Sequence, residues 1–254
     1  MSERTIAVTG SASGIGAALT SLLREQGIRV VGVDLRDAEV VADLATPSGR
    51  VAAAEAVTAA ADGVLDGVVT CAGTSVPGEL MVKVNYFGTT EFVSALQPAL
   101  AKSSAPRVAV VGSISATQRA DDAVVAACLA GDESAALAAA AVAIADGRAR
   151  QLYPSSKSAL ARWARRTSVE DGWANAGIPL NVVAPGVVLT PMTAALIADP
   201  AMKQVMDAAV PMPLNGYLRP EDVARVLAFL VSPENSHITG QVVYVDGGAE
   251  AVLR

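Results

Sequence analysis

The chain of 254 residues is 52% hydrophobic and 17% charged, a composition that can bury a core and that excludes disorder. Its 19 Lys and Arg against 25 Asp and Glu leave a formal charge of −6, which argues against nucleic acid and an anionic membrane surface as partners. Two distant cysteines, Cys71 and Cys128, a single histidine, His237, no long apolar run and no leader pattern at the start lead to the expectation of a soluble cytoplasmic protein without a metal site.

Short β-branched runs alternate with amphipathic helical stretches. Residues 5–9 read as a buried strand and 14–26 as a helix stopped by Gly27. A second strand follows at 28–34 and a short third at 39–43. The stretch 47–61 is helical, 64–71 is a fourth strand, and 79–100 is a long helix interrupted by Gly88. A fifth strand spans 107–111. Residues 121–146 are Ala-rich and helical, with a break and an N-cap signal at 131–134. A helix starts at Tyr153 and runs to about Ala174, and 178–183 is the sixth strand. The segment 190–214 breaks the alternation and carries Met192, Met202, Met206 and Met212. A helix at 221–231 and a strand at 241–245 close the pattern. This order predicts an α/β fold: one Rossmann-type, doubly wound parallel sheet of about seven strands with helices on both faces. No linker is visible, so 1–254 is expected to be a single domain.

Between the first strand and the first helix lies Thr9-Gly10-Ser11-Ala12-Ser13-Gly14-Ile15-Gly16. Gly10 suits a tight turn, Gly14 a close backbone approach to a phosphate, and Gly16 the packing of helix on sheet. The helix N-terminus then aims unpaired N–H groups at a pyrophosphate. Asp34 ends the second strand, where a carboxylate accepts hydrogen bonds from the adenine-ribose hydroxyls and repels a 2′-phosphate. That favours NAD over NADP, although Arg36 nearby could blunt the preference.

Tyr153-Pro154-Ser155-Ser156-Lys157 opens a helix, and four residues are one turn, so Tyr153 and Lys157 share a face. A lysine ammonium beside a phenol is expected to lower the tyrosine's pKa and make it a general acid/base.

With these motifs the chain resembles a short-chain dehydrogenase/reductase of the Tyr-x-x-x-Lys type over essentially its whole length. Asp43-Leu44, Cys71-Ala72-Gly73, Asn85-Tyr86, Ser113, Pro185-Gly186 and Asp246-Gly247-Gly248 add to the likeness. The stretches 32–44 and 84–88 look most like the bacterial 3α-hydroxysteroid dehydrogenase/carbonyl reductase group. The resemblance implies an NAD-dependent oxidoreductase interconverting a secondary alcohol and a ketone. It makes Tyr153 the proton donor or acceptor and Ser113, rather than Ser115, the holder of the substrate oxygen. Lys157 would lower the Tyr153 pKa and bind the nicotinamide ribose, and Asn85 would hold a water in a proton relay. Cofactor contacts would come from Gly10, Ser13, Gly14, Ile15 and Gly16, from Asp34, and from Asp43 and Leu44 flanking the adenine. Ala72 and Gly73 would meet the adenosine ribose; Pro185, Gly186, Val188 and Thr190 would face the nicotinamide. A terpene or aryl alcohol, or a β-ketoacyl thioester, is the alternative substrate, and a non-enzymatic NAD sensor the alternative role.

Ser113 and Tyr153 lie 40 residues apart, where the family usually has about a dozen. A helical insertion near 116–148 is therefore expected, as in the hydroxysteroid dehydrogenase group, and it would cover the family's usual packing interface. Contact surfaces near 221–245 remain, so a homodimer is expected first and a tetramer second. The segment 190–214 is expected to be a lid over a small apolar substrate, since methionine adapts to varied apolar shapes.

Overall fold

In the computed structural model, residues 4–253 are described; residues 1–3 and 254 of the expected domain lie outside them. The strands are β1 (Thr5–Thr9), β2 (Arg29–Asp34), β3 (Val40–Val41), β4 (Gly67–Thr70), β5 (Arg107–Val111), β6 (Leu180–Pro185) and β7 (Val242–Val245). They form one seven-stranded sheet in the order β3-β2-β1-β4-β5-β6-β7, and every pairing is parallel. The order reverses between β1 and β4, which opens a crevice at the C-terminal ends of those strands.

Side chains alternate across each strand, so the Val-rich runs feed two cores. Ile6, Val8, Val69 and Ala109 face α1 (Gly14–Glu25) and α10 (Pro220–Leu230), packing with Leu19, Leu23, Val223 and Leu227. Ala7, Val31, Val68 and Val108 face the other layer, built from α2 (Pro47–Ala60), α4 (Gly88–Leu100) and α7 (Leu152–Thr167). Val57, Phe92, Leu96 and Leu160 fill that side and are fully buried. Each such side chain contributes roughly 1.5–3 kcal/mol relative to staying exposed. Strands buried on both faces have no polar alternation to show, as their sequences have none.

Several boundaries differ from the expectations. The fourth strand starts at Gly67 rather than at 64, because Val64 and Leu65 belong to the turn leaving α2 and Asp66 anchors Thr5 through its carboxylate. The third strand keeps only two residues, and the sixth runs on to Pro185, pairing with Val245 of β7. The helix from Tyr153 ends at Thr167, where the Ser168 hydroxyl takes the Arg165 carbonyl and competes with further helix. The long helix is not broken at Gly88. It runs as α3 (Leu80–Val82), a π-helical turn (Lys83–Phe87) and α4, so the irregularity lies in the turn before the glycine.

Between β5 and α7 the chain forms α5 (Asp122–Leu129) and α6 (Glu133–Ala145). Asp121 and Asp132 cap them through their carboxylates, and α5 packs on α7. After β6 come α8 (Pro191–Ala198) and α9 (Pro200–Ala209), an excursion tied at its base where Val188 bridges Leu218. A short α11 (Ala249–Leu253) follows β7. Among the described residues no helix is long and apolar enough to cross a membrane.

Candidate active site

The turn after β1 is held by the Gly10 amide donating to Val33 O at 2.8 Å. Gly10 has φ +67°, and a Cβ there would lie 2.7 Å from the Ala72 amide nitrogen, so only glycine lets the turn sit against β4's end. At Gly16 a Cβ would fall 2.1 Å from the Gly10 carbonyl oxygen. Glycine at this position thus lets the first turn of α1 close tightly on its own entry loop, while Leu19 and Leu23 further along pack the helix on the sheet. Ser13 caps α1 with extended backbone, but its side chain takes none of the first-turn N–H groups. Those donors and the positive end of the helix face the crevice.

A cleft of about 520 Å³ runs from that turn along the strand ends. Gly10, Ser13, Gly14, Ile15, Asp34, Asp43, Leu44, Ala72, Gly73, Pro185, Gly186, Val188 and Thr190 line it, as do Ser113, Tyr153 and Lys157. Gly16 lies beneath the turn and Asn85 behind the wall, fully buried. Asp34 accepts from the Ala12 amide at 3.0 Å and from its own Leu35 amide at 2.7 Å, which fixes its carboxylate at the rim with lone pairs to spare. Asp43 accepts from Ala45 N at 2.9 Å. A glycine cradle with free helix-end donors, beside a fixed carboxylate, fits a dinucleotide.

Tyr153 and Lys157 project from the first two turns of α7 at the far end of the cleft. The phenol oxygen and the Ser113 hydroxyl are hydrogen-bond partners, and the serine oxygen accepts from Ser115 N at 3.1 Å. Geometry therefore brings Ser113 to the tyrosine, and Ser115 only supports it. Lys157 Nζ donates to Val111 O at 2.9 Å and lies 5.8 Å from the Tyr153 ring centre. The expected lowering of the Tyr153 pKa by lysine is not what this arrangement produces. Burial raises the phenol's pKa, and the opposing pull comes from the Ser113 hydrogen bond. The lysine shifts too: burial lowers it from 10.5 to about 8, against a smaller opposing contribution from Cys71. Cys71 itself is pushed up to about 12 by burial, so it is an inert thiol in the cleft wall.

Asn85 sits in the π-helical turn. Its Oδ1 accepts from Thr74 N at 2.8 Å, and its Nδ2 donates to Thr74 O at 3.0 Å and to Ser156 Oγ at 3.3 Å. Both amide protons thus have protein partners, and the side chain ties the loop after β4 to α7. The extra residue of a π turn is what brings Asn85 inward, beside Gly73.

A family model described as enoyl-(acyl carrier protein) reductase matches residues 10–250. The 3-alpha-hydroxysteroid dehydrogenase/carbonyl reductase of Comamonas testosteroni is 39% identical over 98% of this chain and 97% of its own. The chain belongs to the short-chain dehydrogenase/reductase family. The cis-4-hydroxycyclohexanecarboxylate dehydrogenase of Sinomonas cyclohexanicum is 33% identical over 98% of each chain. Among solved structures, the 3-alpha-hydroxysteroid dehydrogenase from Pseudomonas sp. B-0831 complexed with NADH superposes with a TM-score of 0.91 at 44% identity, covering 98% of both chains. This short-chain dehydrogenase/reductase is accordingly an oxidoreductase of CH–OH groups that works with a nicotinamide cofactor.

In this dehydrogenase the cleft also has walls that the motifs do not name. Thr74, Leu80, Val84, Met192 and Thr193 line it. Leu80 and Val84 are four apart on one helix face, and that spacing is the one sequence signal that could have singled them out. The four methionines separate. Met192 lines the cleft; Met206 and Met212 pack against Val187, Val210 and Ile114 beneath the α8–α9 excursion; Met202 is exposed. Met212 Sδ also accepts from Val187 N at 3.2 Å, pinning the end of the excursion to the strand-six wall.

Proposed function

We propose that the chain is an NAD-dependent hydroxysteroid dehydrogenase/carbonyl reductase acting on apolar cyclic ketones and alcohols. The observation that carries this is the lining beside Ser113 and Tyr153. Leu80, Val84 and Met192 are apolar, and Lys203, the one cation of 190–214, is paired with Asp207 at 2.7 Å. That leaves the excursion no unpaired cation for a phosphate or a carboxylate, which favours a neutral substrate over an acyl-carrier thioester. The hydroxysteroid dehydrogenase relatives agree with this better than the enoyl reductase description of the family model does.

A nicotinamide cofactor bound in the cleft supplies or takes the hydride. Gly10, Ser13, Gly14 and Ile15 hold its pyrophosphate, Asp34 its adenine ribose, and Asp43 with Leu44 its adenine. Ala72, Gly73 and Lys157 meet the riboses, while Pro185, Gly186, Val188 and Thr190 form the nicotinamide wall. Ser113 holds the substrate oxygen with its hydroxyl. The Tyr153 phenol, kept protonated by burial, gives its proton to that oxygen in ketone reduction and takes one back in alcohol oxidation. Asn85 positions the Thr74 loop against α7, behind any proton path from Tyr153 to Lys157.

Asp34 repels a 2′-phosphate, and Arg36 points into solvent beside Asp37. NADH is therefore the expected cofactor, preferred over NADPH by at least about tenfold in kcat/KM, or roughly 1.4 kcal/mol. One panel tests both halves of the reading: a steroid ketone, a monocyclic terpene ketone and acetoacetyl thioester, each with NADH and with NADPH. The steroid ketone with NADH should lead. A lead for the thioester would refute the apolar pocket, and equal rates with NADPH would refute the role given to Asp34.

For assembly we propose a homodimer, ahead of a tetramer, through β7 and α10: β7 is an edge strand and Phe229 on α10 is exposed. Light scattering should return twice the chain mass, 25.7 kDa; a monomer would contradict it. Both cysteines are free thiols, which suits the cytoplasm we assign.

A further inference from the structure

Arg50 on α2 is almost wholly buried, at 1% exposure, yet it is no part of the cleft lining. Its guanidinium is enclosed by acceptors from four separate segments. Nε donates to Leu44 O at 2.9 Å, and Nη2 donates to Ala45 O at 3.1 Å and Lys83 O at 3.3 Å. Nη1 and Nη2 grip both oxygens of Glu133 at 2.7 and 2.8 Å, and Nη1 also meets Glu91 Oε2 at 3.0 Å. Leu44 lines the cleft, and Lys83 opens the π-helical turn that holds Asn85. Glu133 is the first residue of α6, in the stretch inserted between Ser113 and Tyr153. A fork-to-fork pair fixes direction as well as distance. It also takes up guanidinium protons that would otherwise have to find other partners in a dry site. The Leu44 carbonyl is pressed from the other side by Gly88, where a Cβ would come within 2.9 Å.

We infer that Glu133 and Arg50 are a positioning pair, through which the inserted helices hold the Leu44–Ala45 wall and the π-helical turn in their cofactor-ready positions. The inserted segment then serves the dinucleotide site from within its own subunit, whatever it does at an interface. The inference rests on the reading that Leu44 flanks the adenine, and it makes Arg50 and Glu133 determinants of NADH affinity without any contact to NADH.

The test uses the full chain as wild type, Glu133→Gln, Arg50→Met and the double variant. In the unliganded protein, amide hydrogen exchange of segments 43–46 and 83–87 should speed up several-fold in Glu133→Gln while the sheet is unchanged. NADH binding, followed by fluorescence, should weaken about threefold to tenfold, with KM for NADH rising in step and kcat held within about twofold. If Arg50→Met folds, the double variant should be no weaker than Arg50→Met alone, because the pair acts as one unit. Glu133→Gln with unaltered exchange in both segments would overturn the pair. So would additive losses in the double variant. Faster exchange with unchanged NADH affinity would instead overturn the placing of adenine at Leu44, and with it the link to the cofactor, while leaving the mechanical clamp.

Discussion

Tyr153→Phe is expected to lower kcat for ketone reduction by at least about 10²-fold, the usual worth of a positioned acid/base. NADH affinity should stay within a few-fold of wild type, because the ring remains and only one hydroxyl leaves. The phenol is the hydrogen-bond partner of the Ser113 hydroxyl, and burial holds it protonated at neutral pH. Phenylalanine keeps that packing, while the Ser113 hydroxyl retains the Ser115 amide as a partner, so the fold should survive. The wild-type pH profile follows from the same direction of shift. A raised phenol pKa keeps the reductive direction supplied with protons across the neutral range, whereas alcohol oxidation needs the deprotonated form and should climb as pH rises. Stopped-flow turnover with NADH bound would show this. A Tyr153→Phe rate within a few-fold of wild type would move the proton donor elsewhere.

Lys157→Met is expected to lose activity comparably, at least about 10²-fold, and to weaken NADH binding, while its stability at pH 7 does not fall. The lysine is 5% exposed, and its ammonium donates to the Val111 carbonyl. Its pKa of about 8 in the native state against 10.5 unfolded corresponds to about 3 kcal/mol of penalty for keeping the charge at low pH. The sign follows from proton counting. Between pH 8 and 10.5 the unfolded chain holds the lysine proton that the native chain has released, so the contribution of Lys157 to stability rises with pH across that window, while the raised thiol of Cys71 pulls the other way above about pH 9. Below pH 8 the penalty is present in full. Methionine removes it and leaves the Val111 carbonyl without its donor, which costs about 1–3 kcal/mol. The two effects roughly cancel or favour the variant. Urea unfolding at pH 7 and at pH 10 measures both. A variant clearly less stable than wild type at pH 7, or one whose stability difference from wild type is the same at pH 10 as at pH 7, would contradict the burial argument.

What could be read in advance was whatever rests on local pattern. Valine runs with no polar alternation mark strands covered on both faces. Gly10 to Gly16 mark the one turn that must pass close to Ala72. Tyr153 and Lys157 reach the same cleft because four residues make one helical turn. What stayed hidden depends on distant partners. Val64 and Leu65 are as apolar as Val68 and Val69, and only the pairing of Gly67 with Ile6 decides where the strand starts. Nothing local in 83–87 announces a π turn; Asn85 is drawn inward by Thr74 and Ser156, which lie 11 and 71 residues away. The spacing of Tyr153 and Lys157 suggests that the lysine sets the phenol's pKa, but spacing carries no information on burial, and burial dominates both groups. Arg50 reads as one more charge on an amphipathic helix until Glu133, 83 residues on, is folded against it.

The central claim is that hydride moves between a nicotinamide and the carbon of an apolar ketone, with Tyr153 supplying the proton. It is tested most directly by turning over a steroid ketone with NADH deuterated at the transferring position and weighing the product alcohol. The account predicts one deuterium on the carbinol carbon with wild-type protein, and at least about 10²-fold less labelled product from Tyr153→Phe in the same time. Wild-type protein that binds NADH and yields no labelled alcohol from any ketone of the panel would contradict it.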